Sequence, residues 1–129
     1  MAIWKAARQG SKPSGGRFLP FRKKRAYEIG SDPINPKIAE KTVTRKKRLR
    51  GGSEITQVLT ASHANLMLDN GKFKKSKIKT VKENPSNRHF VRMNVITRGA
   101  IIETEDGLAR VTSRPTRDGI VNAILVKAK

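Results

Sequence analysis

From residue 37 onward, the apolar positions come in short runs that are rich in β-branched residues and separated by turn residues. Turn chemistry is clearest at Gly51-Gly52, at Asp69-Asn70-Gly71 and at Asn84-Pro85-Ser86-Asn87. The runs predict strands at residues 41–50, 54–61, 64–68, 74–82, 90–97, 100–104, 108–113 and 120–126. The fold class is therefore predicted to be all-β. We expect about six to seven of these eight runs to form the short strands of a small barrel, closed or partly open, or of a sandwich.

The first of these strands carries a concentrated block of positive charge. Five basic residues occupy the six positions from Arg45 to Arg50, and the block ends at Gly51-Gly52, which suits a tight hairpin. We interpret this strand as the first strand of the barrel and as the hinge between the barrel and the preceding segment. Because side chains alternate along a strand, the register across the turn decides which faces Arg45 and Lys47, or Lys46 and Arg48, occupy.

Residues 1–36 show no comparable periodicity. Glycine and proline recur throughout this segment, and its few apolar residues cannot bury enough surface to offset the entropy of ordering it. The sequence therefore predicts a long, basic, irregular N-terminal arm at residues 1–36, followed by a β-barrel domain at residues 37–129. Within the arm, Arg22-Lys23-Lys24-Arg25 lies between Phe21 and Tyr27, a mixture that suits phosphates and unpaired bases.

The net charge narrows the possible partners to polyanions. The 129 residues include 29 Lys and Arg against 10 Asp and Glu, which gives a formal charge of +19. Such an excess opposes compaction unless nucleic acid, an anionic membrane or an acidic protein neutralises it. No apolar run approaches the roughly 20 residues of a spanning helix, and no amphipathic helix of useful length is predicted, which disfavours a membrane. With no cysteine, no spanning run and no apolar stretch of a secretion signal at Met-Ala-Ile-Trp-Lys, the chain is expected to be soluble and intracellular.

Nucleic acid is the partner that the placement of the basic residues favours. A two-residue period places Lys75, Lys77 and Lys79 on one face of a strand, opposite Ser76, Ile78 and Thr80. The candidate RNA contacts are Lys5, Arg8, Lys12, Arg17, Arg22, Lys23, Lys24 and Arg25 in the arm, Arg45, Lys46, Lys47, Arg48 and Arg50 at the hairpin, and Lys74, Lys75, Lys77 and Arg88 farther along. For the run Arg22 to Arg25, the alternative is a solvated charge run or a nuclear-import-like patch.

No catalytic or metal-binding constellation can be assembled from the sequence. His63 and His89 lie in different segments without a carboxylate at metal-ligand spacing. Glu103, Glu105 and Asp106 form the one acidic cluster, for which a divalent-ion site is conceivable, although an acidic hairpin tip explains it better. There is no phosphate-binding glycine loop and no nucleophile elbow. We therefore predict no enzyme activity, no cofactor and no metal.

Several motifs, in this order along the chain, resemble the small-subunit ribosomal protein family of archaea and eukaryotes known as protein eight of the eukaryotic type. The motifs are Ser14-Gly15-Gly16-Arg17, Arg22-Lys23-Lys24-Arg25, Glu28-Ile29-Gly30, the basic strand ending in Gly51-Gly52, Glu83 to His89, Ile96 to Thr104, Ala109 to Pro115 and Gly119 to Ala123. The resemblance covers the whole chain, and the compact length is similar to that of archaeal members. The rings of Phe18 and Phe21 depart from the pattern of the family.

The resemblance implies a β-barrel whose basic N-terminal extension threads along small-subunit ribosomal RNA. It implies a structural constituent of the cytoplasmic small ribosomal subunit, without catalysis or an obligatory cofactor. The expected partners are ribosomal RNA and neighbouring ribosomal proteins, with no membrane, no small-molecule substrate and no homo-oligomer. A free-standing nucleic-acid-binding protein or nuclease acting outside the ribosome is the alternative that the residues leave open.

Overall fold

The computed structural model describes residues 3–4, 10–19, 22–23, 25–68 and 70–126. The chain forms two compact units, residues 1–33 and residues 34–129. In the first unit, strand β1 (Ile3–Trp4) pairs antiparallel with strand β2 (Ile29–Gly30), and a single 3-10 turn covers Ala26–Glu28. A tight turn at Lys12 to Gly16, closed by an isolated bridge between Ser11 and Arg17, is the other ordered feature described there.

Among the described residues, the second unit contains eight strands, two short α-helices and a 3-10 turn at Arg50–Gly52. In chain order the strands and α-helices are β3 (Lys37–Ile38), β4 (Val43–Arg48), β5 (Glu54–Ala61), β6 (His63–Met67), β7 (Phe73–Glu83), α1 (Arg88–Arg92), β8 (Ile101–Thr104), β9 (Gly107–Val111), α2 (Pro115–Asp118) and β10 (Asn122–Leu125). Seven of these strands have four residues or more, and they account for the predicted all-β fold.

A closed five-stranded barrel forms the centre of this unit. Its strand order is β10-β6-β7-β8-β9, and closure comes from β10, which pairs antiparallel with β9 and parallel with β6. A small barrel leaves little room inside, and alternate positions on its strands carry alanine, valine, leucine or isoleucine. The core residues are Val58, Ala61, Ala64, Leu66, Ile78, Val81, Ile96, Ala100, Ile102, Ala109, Val111, Val121 and Ala123. The predicted barrel is thus confirmed.

The basic strand β4 is not part of the barrel, which corrects its assignment as the barrel's first strand. It is an edge strand of a separate three-stranded sheet with the order β3-β5-β4. Strand β5 lies at the centre of that sheet, and it reaches the core through Val58 and Ala61, which are both 1% exposed. The predicted strand at residues 54–61 is confirmed as β5, and it attaches this second sheet to the core.

The predicted strand at residues 90–97 is wrong, because this segment begins as helix α1. The side chain of Asn87 caps that helix by accepting a hydrogen bond from the backbone N–H of His89, at 2.9 Å. Asn94 then takes a left-handed conformation with φ 51°, which ends any regular element. The buried Asn84 fixes the segment from the other side, since its amide nitrogen donates to the carbonyl of Val95 at 3.1 Å.

The alternation predicted for β7 holds for its first half only. Ser76 and Ile78 are buried between the exposed Lys75, Lys77 and Lys79. An irregularity in the pairing with β8 follows Ile78, and beyond it Val81 faces the core. Because a bulge shifts the period by one residue, Thr80 is exposed rather than inward-facing.

Candidate nucleic-acid interface

The β4–β5 hairpin presents the densest cluster of cations, and its turn matches the prediction. The backbone N–H of Leu49 donates to the carbonyl of Ser53 at 2.7 Å, and this bond closes the turn. Gly51 and Gly52 have φ values of 81° and 86°, in the left-handed region that side chains avoid. The strands then run in continuous register from Arg48 opposite Glu54 back to Thr44 opposite Val58.

Both faces of β4 are open to solvent. All six of its residues are exposed. The register places Lys46 and Arg48 on the side of Thr56, and Arg45 and Lys47 on the side of Ile55 and Gln57. Within the described part of the chain, no carboxylate lies within ion-pair distance of these four cations or of the exposed Arg50 in the turn. The hairpin therefore offers five uncompensated charges on a narrow ribbon.

The lysines of β7 divide between two situations. Lys75 and Lys77 are exposed on the outer face of the barrel, in register with Asn65 and His63 of β6. Lys74 points to the other side of the strand and forms an ion pair with Asp106. This contact holds the pKa of Asp106 below its usual value. The charge of Lys74 is thus partly neutralised by Asp106, whereas Lys75 and Lys77 have no ion pair among the described residues.

In the first unit, the predicted contacts fall into three groups. Lys12, Arg17, Lys23 and Arg25 are exposed. Arg22 is partly buried, because it donates to the carboxylate of Glu28 at 2.5 Å and to the hydroxyl of Tyr27 at 2.8 Å. Its guanidinium also lies 5.8 Å from the centre of the Tyr27 ring. Lys5, Arg8 and Lys24, and the ring of Phe21, lie outside the described residues, and Phe18 is half-buried.

Sequence reasoning missed two arginines, Arg110, which the fold brings near Arg88, and Arg98, which lies in an adjoining cleft. Arg88, the exposed first residue of α1, lines a shallow cleft together with Arg110 of β9, and an adjoining cleft contains both Arg110 and Arg98. The signal for Arg110 was available, because it stands between Ala109 and Val111, which both point inward. Alternation alone would have placed it on the outer surface.

The residues considered for catalysis are not brought together. Glu103 accepts hydrogen bonds from Lys82 at 3.1 Å and from Thr80 at 3.0 Å, and these contacts lower the pKa of its carboxyl group. The ring of His63 contacts the hydroxyl of Ser62 at 2.7 Å, and His89 lies in α1. Among the residues that the structure describes, no group of three His, Asp or Glu side chains is placed to hold a metal ion.

No described helix is both long enough and apolar enough to cross a membrane. The sequence also matches the model of a known protein family. The family model described as Ribosomal protein S8e matches residues 5–126, which is nearly the whole chain. Proteins of that family are structural parts of the ribosome rather than enzymes. The all-β barrel and the basic hairpin therefore belong to a ribosomal protein, and the chain is a member of the ribosomal protein S8e family.

Proposed function

We propose that this chain binds small-subunit ribosomal RNA as a structural constituent of the cytoplasmic small ribosomal subunit, with no catalytic step. The observation that carries the proposal is strand β4, whose six residues are all exposed and whose four cations lack an acidic partner among the described residues. Unpaired surface cations are the groups that gain most from contact with phosphate oxygens. Family membership supplies the ribosomal setting.

The shape of the hairpin supports contact with a folded RNA. An edge strand with both faces exposed can lie in a groove of RNA and meet phosphates on either side, as a buried strand cannot. The N-terminal arm, residues 1–36, extends this contact through Lys12, Arg17 and the run Arg22-Lys23-Lys24-Arg25. In the second unit, Lys74, Lys75, Lys77 and Arg88 add further cations. The chain acts as a single copy beside other ribosomal proteins.

A purely structural explanation for the charge of β4 must be separated from RNA binding. Charged residues on an edge strand also prevent it from pairing with the edge of another molecule. If this were their only role, removing the charges would promote aggregation without altering RNA affinity. Both effects are measurable on the same variants.

The experiment is a salt titration of RNA binding by the wild type and by the triple variant Arg45→Ala, Lys47→Ala, Arg48→Ala. Each lost phosphate contact lowers the log–log salt slope by roughly 0.7–0.9, so the triple variant should be flatter by about two units. The matched control replaces the exposed Arg92, Arg114 and Arg117 with alanine, which removes the same net charge at other places. An unchanged slope in the β4 variant, or equal flattening in the control, would contradict the assignment.

Co-sedimentation decides between a ribosomal constituent and a free-standing RNA-binding protein or nuclease. A constituent stays with small subunits through a moderate-salt wash at about one copy per subunit. Release into the supernatant, or metal-dependent RNA cleavage lost in Glu103→Ala or His89→Ala, would favour the alternative.

A further inference from the structure

The outer face of the barrel carries a row of exposed apolar side chains that the basic clusters do not explain. Phe73 on β7 lies in register with Met67 on β6, and Met67 lies in register with Ile124 on β10. These side chains are 73%, 39% and 43% exposed, respectively. Phe73 is the first residue of β7, at the end of the β6–β7 hairpin. A phenyl ring exposed to this extent gains little from the fold, because it contacts little of the protein.

A polar row runs beside the apolar one, two residues away on each strand. It consists of Lys75 on β7, Asn65 on β6 and Asn122 on β10, again in direct register. The amide nitrogen of Asn65 donates to the amide oxygen of Asn122 at 3.1 Å. The amide oxygen of Asn65 and the amide nitrogen of Asn122 have no side-chain partner within the described residues. The pair therefore offers one acceptor and one donor next to the ring.

Charge complementarity identifies the occupant of this face. The outward positions of β6, of β10 and of the first half of β7 are His63, Asn65, Met67, Asn122, Ile124, Phe73, Lys75 and Lys77. They include two lysines and no carboxylate. A protein partner covering the apolar row would have to desolvate these cations and amides, whereas a nucleotide provides a partner for each kind of group.

We propose that this face, formed by Met67, Phe73, Ile124, Asn65, Asn122 and Lys75, binds an unpaired RNA nucleotide. The base stacks on the Phe73 ring and rests against Met67 and Ile124. The two free amide groups bind the edge of the base, and Lys75 binds a phosphate of the same strand. Neighbouring strands lie roughly 4.8 Å apart and alternate residues roughly 6.7 Å apart, so the six side chains span one nucleotide and its phosphate. The proposal deepens the RNA-binding function and rests on it.

The experiment uses the full-length chain and two probes, single-stranded octa-adenylate and an eight-base-pair RNA duplex. Phe73→Ala should weaken octa-adenylate binding about ten-fold, the loss of one base–aromatic stack, while duplex affinity stays within two-fold. Phe73→Tyr keeps the ring and should bind octa-adenylate like the wild type. Met93→Ala is the matched control, because Met93 is 43% exposed and lies at the end of α1 rather than on β6, β7 or β10.

A spectroscopic readout covers the case in which the alanine variant does not fold. In a Trp4→Phe background, Phe73→Trp places the one tryptophan at the proposed stack, and octa-adenylate should quench its emission more than the duplex does. The proposed nucleotide site is overturned if octa-adenylate causes no quenching, or if Phe73→Ala and the wild type bind octa-adenylate with equal affinity.

The outcome also separates this proposal from the one it rests on. If Phe73→Ala binds octa-adenylate normally while the β4 variant shows the flattened salt slope, the proposed nucleotide site is wrong and the RNA-binding function stands. If Phe73→Ala keeps its RNA affinity but dissociates from small subunits in a salt wash, the face docks a protein, and the nucleotide assignment is wrong.

Discussion

The two glycines at the tip of the β4–β5 hairpin can be examined by replacing both with valine. A Cβ atom at Gly51 would meet no atom within 4 Å, and a Cβ atom at Gly52 would meet the guanidinium of Arg48 at 3.9 Å. The cost is therefore backbone strain alone, set by φ values of 81° and 86°. A β-branched residue in this region costs roughly 1–3 kcal/mol, so the double variant should lose about 2–6 kcal/mol of unfolding free energy.

RNA affinity should fall together with stability in this variant, although neither glycine carries a charge. The turn holds β4 against β5, and a disturbed turn leaves the cations of β4 without a fixed position. Thermal unfolding followed by circular dichroism and RNA binding followed by fluorescence anisotropy measure the two effects. A drop of roughly 8 °C or more in melting temperature is expected, at about 4–8 °C per kcal/mol for a domain of about 100 residues.

Two controls make this result specific. Arg48→Ala should lower RNA affinity while leaving the melting temperature nearly unchanged. Replacing both glycines with asparagine should cost less than valine, because asparagine tolerates the left-handed region. If the double valine variant melts like the wild type and binds RNA normally, then the turn is a loose linker and the reasoning above is refuted.

Three further predictions concern other parts of the chain. Gly119→Ala should destabilise the protein by about 2–4 kcal/mol in denaturant titrations. The reason is that φ of Gly119 is 76° and that a Cβ atom would lie 2.7 Å from the side chain of Thr56. Unchanged stability would mean that α2 can shift to relieve this contact. Lys82 lowers the pKa of Glu103, so the contribution of this carboxylate is present above its unfolded pKa and is lost as pH falls through its folded pKa. Glu103→Gln should therefore show a smaller decrease in melting temperature on acidification, and an identical decrease would contradict it. Residues 1–36 should exchange amide hydrogens rapidly in the free chain and become protected on RNA, and protection without RNA would contradict this.

The β4–β5 hairpin was predictable because its information is local. A glycine pair between two β-rich runs specifies a tight turn, and the return strand at residues 54–61 matches β5 (Glu54–Ala61). The block of basic residues that β4 exposes was likewise predicted from the local sequence. The sequence did not predict to which sheet β4 belongs. The reason is that the barrel is closed by the parallel pairing of β6 with β10, which lie more than 50 residues apart in the chain. No pattern in a single sequence encodes such a distant pairing directly.

The segment around α1 was mispredicted for a different reason. Phe90, Val91 and Val95 favour a strand by intrinsic preference, and a five-residue helix is too short to show a helical period. The structure is decided instead by asparagines, through the cap at Asn87 and the left-handed turn at Asn94. Capping residues were visible in the sequence, but a cap has predictive value only where a longer helix follows it.

The exposure of β4 also changes how its register is determined. In most strands a one-residue slip is prevented because it would move buried side chains to the solvent face. That penalty does not exist for β4, whose six residues are all exposed. Its register must therefore be fixed at its ends, by the glycine turn on one side and by hydrogen bonds on the other.

At that other end, the hydroxyl of Thr60 donates to the carbonyl of Lys41 at 2.9 Å and accepts from the N–H of Val43 at 3.2 Å. The hydroxyl of Thr42 contacts that of Ser62 at 2.8 Å, and Ser62 is buried. These bonds lie at the irregularity between Val43 and Thr44, where the pairing with β5 changes step. Because β4 is fixed at both ends, the side chains between them are not needed for packing against the core. Four consecutive basic residues can therefore occupy β4 without destabilising the core.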